Sequence, residues 1–209
     1  MKNINFLKTN LIAHRGYHNN EIKENTLEAF KKAIDNNYII ELDVHILKDG
    51  NVVVFHDDNL KRLTGIDKKI KDTTYEEIKN LNLLNTKQRI PLLKEVLKIV
   101  NGKVPLLIEL KYDTKVGMLE DKVLEILQKY NGLYALQSFN PRTLIYLKKK
   151  NPNIPRGILV SDYKNTKINI IKKIILKKML LNSIIKPDFI SVNYNYLESK
   201  NINHYVIIL

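Results

Sequence analysis

The stretch IIELDVHILKDGNVVVFHDD, residues 39–58, decides how this chain is folded, because it holds two apolar runs, charged residues set into one of them, and a short polar link. In its first half Glu41, Asp43 and His45 alternate with Leu42 and Val44. On a strand, successive side chains point to opposite faces, so three polar groups share one face and the aliphatic ones share the other. Two carboxylates turned into a protein interior need a cation nearby. The second run ends at His56, which has the parity of Val52 and Val54. Between the runs lie about eight residues, HILKDGNV, against the dozen or so that a parallel crossover takes. The link reads as an extended loop between parallel strands, with a hairpin as the structural alternative.

Working outward, short apolar runs at about 11–14, 38–44, 52–56, 105–111, 133–138, 156–160, 188–192 and 205–209 read as eight strands. Amphipathic stretches separate them. Leu27, Phe30 and Ile34 recur at helical spacing, as do Leu119, Val123, Ile126, Leu127 and Tyr130, so each segment carries one buried stripe. Thr74 and Glu77 form a capping box ahead of Ile78 and Leu81, while Asn140-Pro141 starts a helix that Asn151-Pro152 stops. Strand–helix alternation without an interdomain linker predicts an α/β protein: one domain over residues 1–209, built as a (β/α)8 TIM barrel.

At 209 residues and 44 % hydrophobic, the chain is long enough for one well-cored domain. It has no cysteine, which removes disulfides, thiolate nucleophiles and cysteine-ligated zinc and suits a reducing compartment. The N-terminal MKNINFLKTN lacks the apolar core of a signal peptide, and charges interrupt every apolar run before it could span a bilayer, so the expected location is cytoplasmic. The net charge of +13 comes from lysines spread over the whole chain. With no aromatic-rich strand and no basic recognition helix, nucleic acid is not an expected partner. Residues 168–185, apolar with interspersed lysines, read as an outer helix, the alternative being a peripheral contact with an anionic membrane surface.

In a parallel barrel the site lies at the C-terminal rim, so LIAHRG, IELDVH, VVVFH and LLIELK would bring His14, Glu41, Asp43, His56, Glu109 and Lys111 to one mouth. Three carboxylates offer hard oxygen donors suited to Mg2+ or Ca2+. Two imidazoles free of the metal can serve as general base and general acid. Arg15 supplies a planar fork for phosphate oxygens, Lys111 a second positive charge, and Gly16 a close backbone approach, which points to a phosphate ester as the small-molecule substrate. His18, His45 and His204 read as structural or exposed, with His45 on the carboxylate face. Asp57 and Asp58 either orient His56 or begin a loop.

These blocks, AHRG, ENTLEAF, IELDVHILKDGNVVVFHDDNLKRLTG, PLLIELK and LQSFNP in order, resemble glycerophosphodiester phosphodiesterases of the cytoplasmic bacterial type that lack an inserted subdomain. The resemblance covers nearly the whole chain. It implies a metal-dependent phosphoric diester hydrolase that converts glycerophosphodiesters to glycerol 3-phosphate and an alcohol. In it His14 and His56 would be the acid/base pair, Glu41, Asp43 and Glu109 the metal ligands, and Arg15 and Lys111 the phosphate contacts. Two departures stand out. Lys23 precedes ENT where the family commonly has proline, a loop change expected to be tolerated. The chain also stops at HYVIIL without a tryptophan, where family members continue past an eighth strand. From that ending we expect a C-terminally shortened barrel without its final helix and of lowered stability; a weakly active or inactive relative that still binds phosphate or metal is the alternative function.

Overall fold

A computed structural model describes residues 4–111, 115–161, 169 and 180–192, and the backbone of 206–208. The strands are β1 (Ile12–Ala13), β2 (Ile39–Ile46), β3 (Val52–Val54), β4 (Leu106–Leu110), β5 (Tyr134–Ser138), β6 (Arg156–Val160), β7 (Phe189–Val192) and β8 (Val206–Ile208). Seven of them form one parallel sheet in the order β1-β2-β4-β5-β6-β7-β8. The principal helices are α1 (Leu27–Asp35), α4 (Leu93–Val100), α5 (Met118–Leu127) and α6 (Pro141–Lys150), with single turns α2 (Lys61–Thr64) and α3 (Tyr75–Ile78) in the segment after β3. The sheet with these outer helices is a (β/α) barrel wall.

The exception is β3, which pairs with β2 antiparallel, Val44 opposite Val54 and Ile46 opposite Val52. This corrects the reading of 52–56 as a parallel barrel strand and settles the link as the hairpin. The physical reason is chain length: five residues between Ile46 and Val52 cannot cross over a sheet, whereas they close a turn in which the Leu47 amide donates to Asn51 O at 2.8 Å and Gly50 sits at φ +82°. It follows that residues 206–208 take the seventh place on the parallel path, not the eighth.

Curvature of the sheet shows in bonds that skip a strand. Ser191 on β7 reaches Gln137 on β5, and Gln137 reaches Glu41 on β2, although β4 lies between β2 and β5 and β6 between β5 and β7. In a flat sheet such strands would stand about 9.5 Å apart. The concave floor is apolar: Leu7, Ile39, Leu107, Ala135 and Phe189 cluster there, and a 3₁₀ turn at Asn5–Lys8 covers it from below. Gly157 is required at that level, since a Cβ there would lie 2.0 Å from the Phe189 ring.

Outside the wall, Ile40, Leu42, Val44, Leu106, Ile108 and Leu110 pack under Phe30, Ala33, Val96, Val100, Leu119 and Val123, of which Phe30, Leu119 and Val123 belong to the stripes anticipated from the helical spacing. The helix signals act as read: Glu77 closes a capping box with Thr74, and Asn140 accepts from the Arg142 amide at the start of α6. A second cluster of Leu47, Val53, Phe55, Leu60, Ile70, Ile78, Leu83, Ile90 and Leu92 gives the β3–α4 excursion its own core beside the hairpin. Most of the 168–185 segment and His204 lie outside the described residues, while Asn182–Ile185 forms a helical turn. Among the described residues no helix is long and apolar enough to cross a membrane.

Candidate functional site

Above the apolar floor, the inner positions of β2 and β4 turn polar. Asp43 lies opposite Glu109 in the β2–β4 register, and Glu41, Asp43 and Glu109 place ligand oxygens within 4.8 Å of one another, all three buried. Lys111, one position past β4, stands 2.8 Å from Asp43 Oδ1 and 2.7 Å from Glu109 Oε1. The Lys111 ammonium is the one charged group set against the buried Asp43 Oδ1 among the described residues. Asn25 Nδ2 donates to the other oxygen, Asp43 Oδ2, at 2.8 Å, from a left-handed backbone at φ 57° that asparagine tolerates.

The electrostatics follow from this crowding. Burial, then the charges of Asp43 and Glu109, push Glu41 well above the ordinary carboxylate range. Burial also lifts Glu109 to about 7, with Lys111 opposing and Asp43 adding to the rise. Asp43 goes the other way: burial would raise it, but Lys111, His56 and Asn25 together hold it low. Burial pulls Lys111 down, and its two carboxylate partners more than restore it. The raised values of Glu41 and Glu109 reflect three buried acids crowded against too little positive charge, and their all-oxygen donor set within 4.8 Å fits a hard divalent cation, whose charge would bring them back to the ionised form.

The β1 end supplies the next parts. His14 and Arg15 follow β1, and Arg15 adopts φ 57°, a conformation that costs a non-glycine residue about 1–2 kcal/mol. That turn aims the Arg15 amide at Glu41 Oε2, 3.0 Å away, while its side chain reaches Glu24 Oε1 at 3.0 Å and lies 3.7 Å from Asp43 Oδ2. Gly16 is needed for a reason other than ligand approach: at φ +80° its missing Cβ would stand 2.8 Å from Ala29 Cβ, so the turn packs directly on α1. His14 is open to solvent at the mouth. The protein around it and the Arg15 charge still lower its pKa, against the pull of Asp43.

His56 arrives by the hairpin. β2 runs past the rim, β3 returns antiparallel, and the Phe55 amide donates to Asp43 O at 3.0 Å, which sets His56 beside the carboxylates. The Arg15 amide on Glu41 and the Phe55 amide on Asp43 thus tether the residues next to His14 and His56 to the acid-bearing strand, which brings both imidazoles to the carboxylate end. His56 Nδ1 lies 2.7 Å from Asp57 Oδ1, and since an ionised carboxylate only accepts, Nδ1 carries the hydrogen. Burial, followed by Lys111, lowers His56, with Asp43 and Asp57 opposing. Asp57 thus orients His56. The buried His45 ring meets His56 O at 3.3 Å and supports the same loop, and His18 is exposed.

Several residues at the site were not singled out from the sequence. Glu24 holds Arg15 and Asn25 holds Asp43. Arg62 contacts both Asp57 and Glu24. Ser191 Oγ donates to Gln137 Oε1 at 2.6 Å and Gln137 Nε2 to Glu41 Oε1 at 3.4 Å, fixing the last carboxylate from the far wall. All but Ser191 lie inside the blocks ENTLEAF, NLKRLTG and LQSFNP, which was the available signal. Lys23, the departure ahead of ENT, donates its amide to Gln88 Oε1 at 2.7 Å, a hydrogen that proline lacks.

The sequence model of the Glycerophosphoryl diester phosphodiesterase family matches residues 14–204. A glycerophosphodiester phosphodiesterase of Caldanaerobacter subterraneus subsp. tengcongensis is 36 % identical over 165 residues, covering 73 % of this chain and 67 % of the relative. The crystal structure of a Thermotoga maritima glycerophosphodiester phosphodiesterase superposes with a TM-score of 0.69 at 35 % identity, over 90 % of this chain and 76 % of that one. An Oleispira antarctica phosphodiesterase, solved with the product sn-glycerol-3-phosphate, shares the fold with a TM-score of 0.75 at 24 % identity, over 96 % of this chain and 83 % of that one.

Proposed function

Because this chain belongs to the glycerophosphoryl diester phosphodiesterase family, we propose that it hydrolyses glycerophosphodiesters to glycerol 3-phosphate and an alcohol, with His14 and His56 as the proton-transfer pair. The observation that carries the reading is the meeting of three buried acids, Lys111, Arg15 and two imidazoles at one end of the sheet. Glu41, Asp43 and Glu109 would hold a divalent cation, Mg2+ or Ca2+ on the hardness of their oxygens, and that ion would supply Lewis-acid withdrawal of charge from the phosphoryl oxygens. The guanidinium of Arg15 and the ammonium of Lys111 bind and orient the phosphate.

His14 is the base. Its lowered pKa keeps the imidazole neutral, with a lone pair to take a proton from the attacking water as the new P–O bond forms. His56 is the acid: burial and Lys111 lower its pKa, Asp43 and the Asp57 carboxylate at 2.7 Å offset part of that, and in its protonated form it gives its proton to the leaving alkoxide as the old P–O bond breaks. The test is release of glycerol 3-phosphate from glycerophosphocholine, glycerophosphoethanolamine and glycerophosphoglycerol, with Mg2+ or Ca2+ and with chelator. We expect turnover that chelator abolishes. Metal or phosphate binding without turnover of any of the three would overturn the reading in favour of a binding relative.

A further inference from the structure

Arg62 lies on a short turn of the β3–α4 excursion and touches neither the carboxylate cluster nor an imidazole, yet it grips one acid that holds the His56 ring and another that holds Arg15. Its Nε donates to Asp57 Oδ2 at 2.5 Å and its Nη2 to Asp57 Oδ1 at 3.0 Å. On its other edge Nη2 donates to Glu24 Oε1 at 2.6 Å and Nη1 to Glu24 Oε2 at 3.2 Å. Asp57 Oδ1 is the same oxygen that receives His56 Nδ1, and Glu24 Oε1 the same oxygen that receives Arg15 Nη1. An unbroken chain therefore runs His56–Asp57–Arg62–Glu24–Arg15, joining the loop after β3 to the loop after β1.

We infer that Arg62 is a positioning residue that clamps these two loops together, setting the His56 ring through Asp57 and the Arg15 fork through Glu24. The inference rests on the proposed phosphodiester reaction for its kinetic consequences, but its geometry does not. An ordinary surface ion pair contributes little and would have no reason to reach the site. This one differs because a planar guanidinium bridges two carboxylates at once, which a lysine ammonium on a flexible stem cannot reproduce. Both bridged acids are themselves largely covered, with Glu24 13 % and Asp57 22 % exposed.

The test compares Arg62→Ala and Arg62→Lys with the unmodified chain, using steady-state kinetics on a glycerophosphodiester and 15N NMR of the His56 tautomer. A misplacement of about 1 Å at reacting groups costs on the order of a hundredfold, so Arg62→Ala should lower kcat about 10- to 100-fold and raise KM, and Arg62→Lys should restore little of either. The His56 Nδ1–H population should fall in both variants, as it should in Asp57→Asn. In an Asp57→Asn background, Arg62→Ala should lower kcat by no more than about twofold further, because both changes break one linkage. Folded variants with kcat, KM and the tautomer unchanged would overturn the inference. Loss of the Nδ1–H tautomer in Arg62→Ala, with no hydrolysis by the unmodified chain, would uphold the clamp and refute the assigned reaction instead.

Discussion

Gly16→Ala tests whether the turn carrying His14 and Arg15 is held by direct packing on α1, and the molecule supplies its own control. Gly16 and Gly50 have nearly the same backbone, φ +80° and φ +82°. A Cβ at Gly50 would meet nothing within 4 Å, so Gly50→Ala incurs only the left-handed backbone cost of about 1–2 kcal/mol. At Gly16 the new methyl would lie 2.8 Å from Ala29 Cβ and 3.1 Å from the Ala29 carbonyl carbon, neither of which can swing away, and 3.0 Å from Phe30 Cδ1. Overpacking of that kind adds about 1–3 kcal/mol, for a total of about 2–5 kcal/mol. At about 2–4 °C per kcal/mol for a chain of this size, Gly16→Ala should lower Tm by about 4–20 °C and Gly50→Ala by about 2–8 °C. Urea titrations followed by circular dichroism would measure the two free energies, and turnover should drop in Gly16→Ala alone, since only that turn bears site residues. Equal destabilisation by the two substitutions would refute the packing argument.

Two further outcomes separate roles within the site and its margin. His14→Ala and His56→Ala should each remove most turnover, on the order of 100-fold or more, while calorimetric Mg2+ or Ca2+ affinity stays close to that of the unmodified chain; Glu41→Ala or Asp43→Ala should weaken that affinity. For the Arg62 network, burial raises Glu24 and Asp57, but Arg62, together with Arg15 at Glu24 and His56 at Asp57, outweighs it and leaves both below their ordinary values. A folded-state pKa below the unfolded one contributes stability above about pH 4–4.5 that disappears as the pH falls through the folded value. Because the Arg62 side chain is nearly half exposed, we expect Arg62→Leu to cost about 1 kcal/mol at pH 7, with the gap closing towards pH 3 in urea titrations. A gap that widens on acidification would reverse the sign of the linkage.

How much of the site was legible depended on the range of the interactions. Glu41 and Asp43 could be placed on one face, and Glu109 with Lys111 on another, because strand alternation is written every second residue. Gln137 and Ser191 could not be connected to Glu41, since their bonds cross non-adjacent strands and exist only once the sheet curls. The hairpin was partly legible in the link of about eight residues, too short for a usual crossover, which kept it open as the alternative.

By itself the sequence determined which strand residues share a face, where helices begin, and that imidazoles, carboxylates and cations stand at the ends of several apolar runs, since propensity, capping and periodicity all act within a few residues. Only the tertiary structure decided that His56 comes back to the mouth on an antiparallel return, that Gly16 makes room for Ala29 rather than for a ligand, and that Arg62 spans two loops. The physical reason is that these outcomes depend on strand register and sheet curvature, which arise from the packing of the whole chain and leave no periodic trace along it.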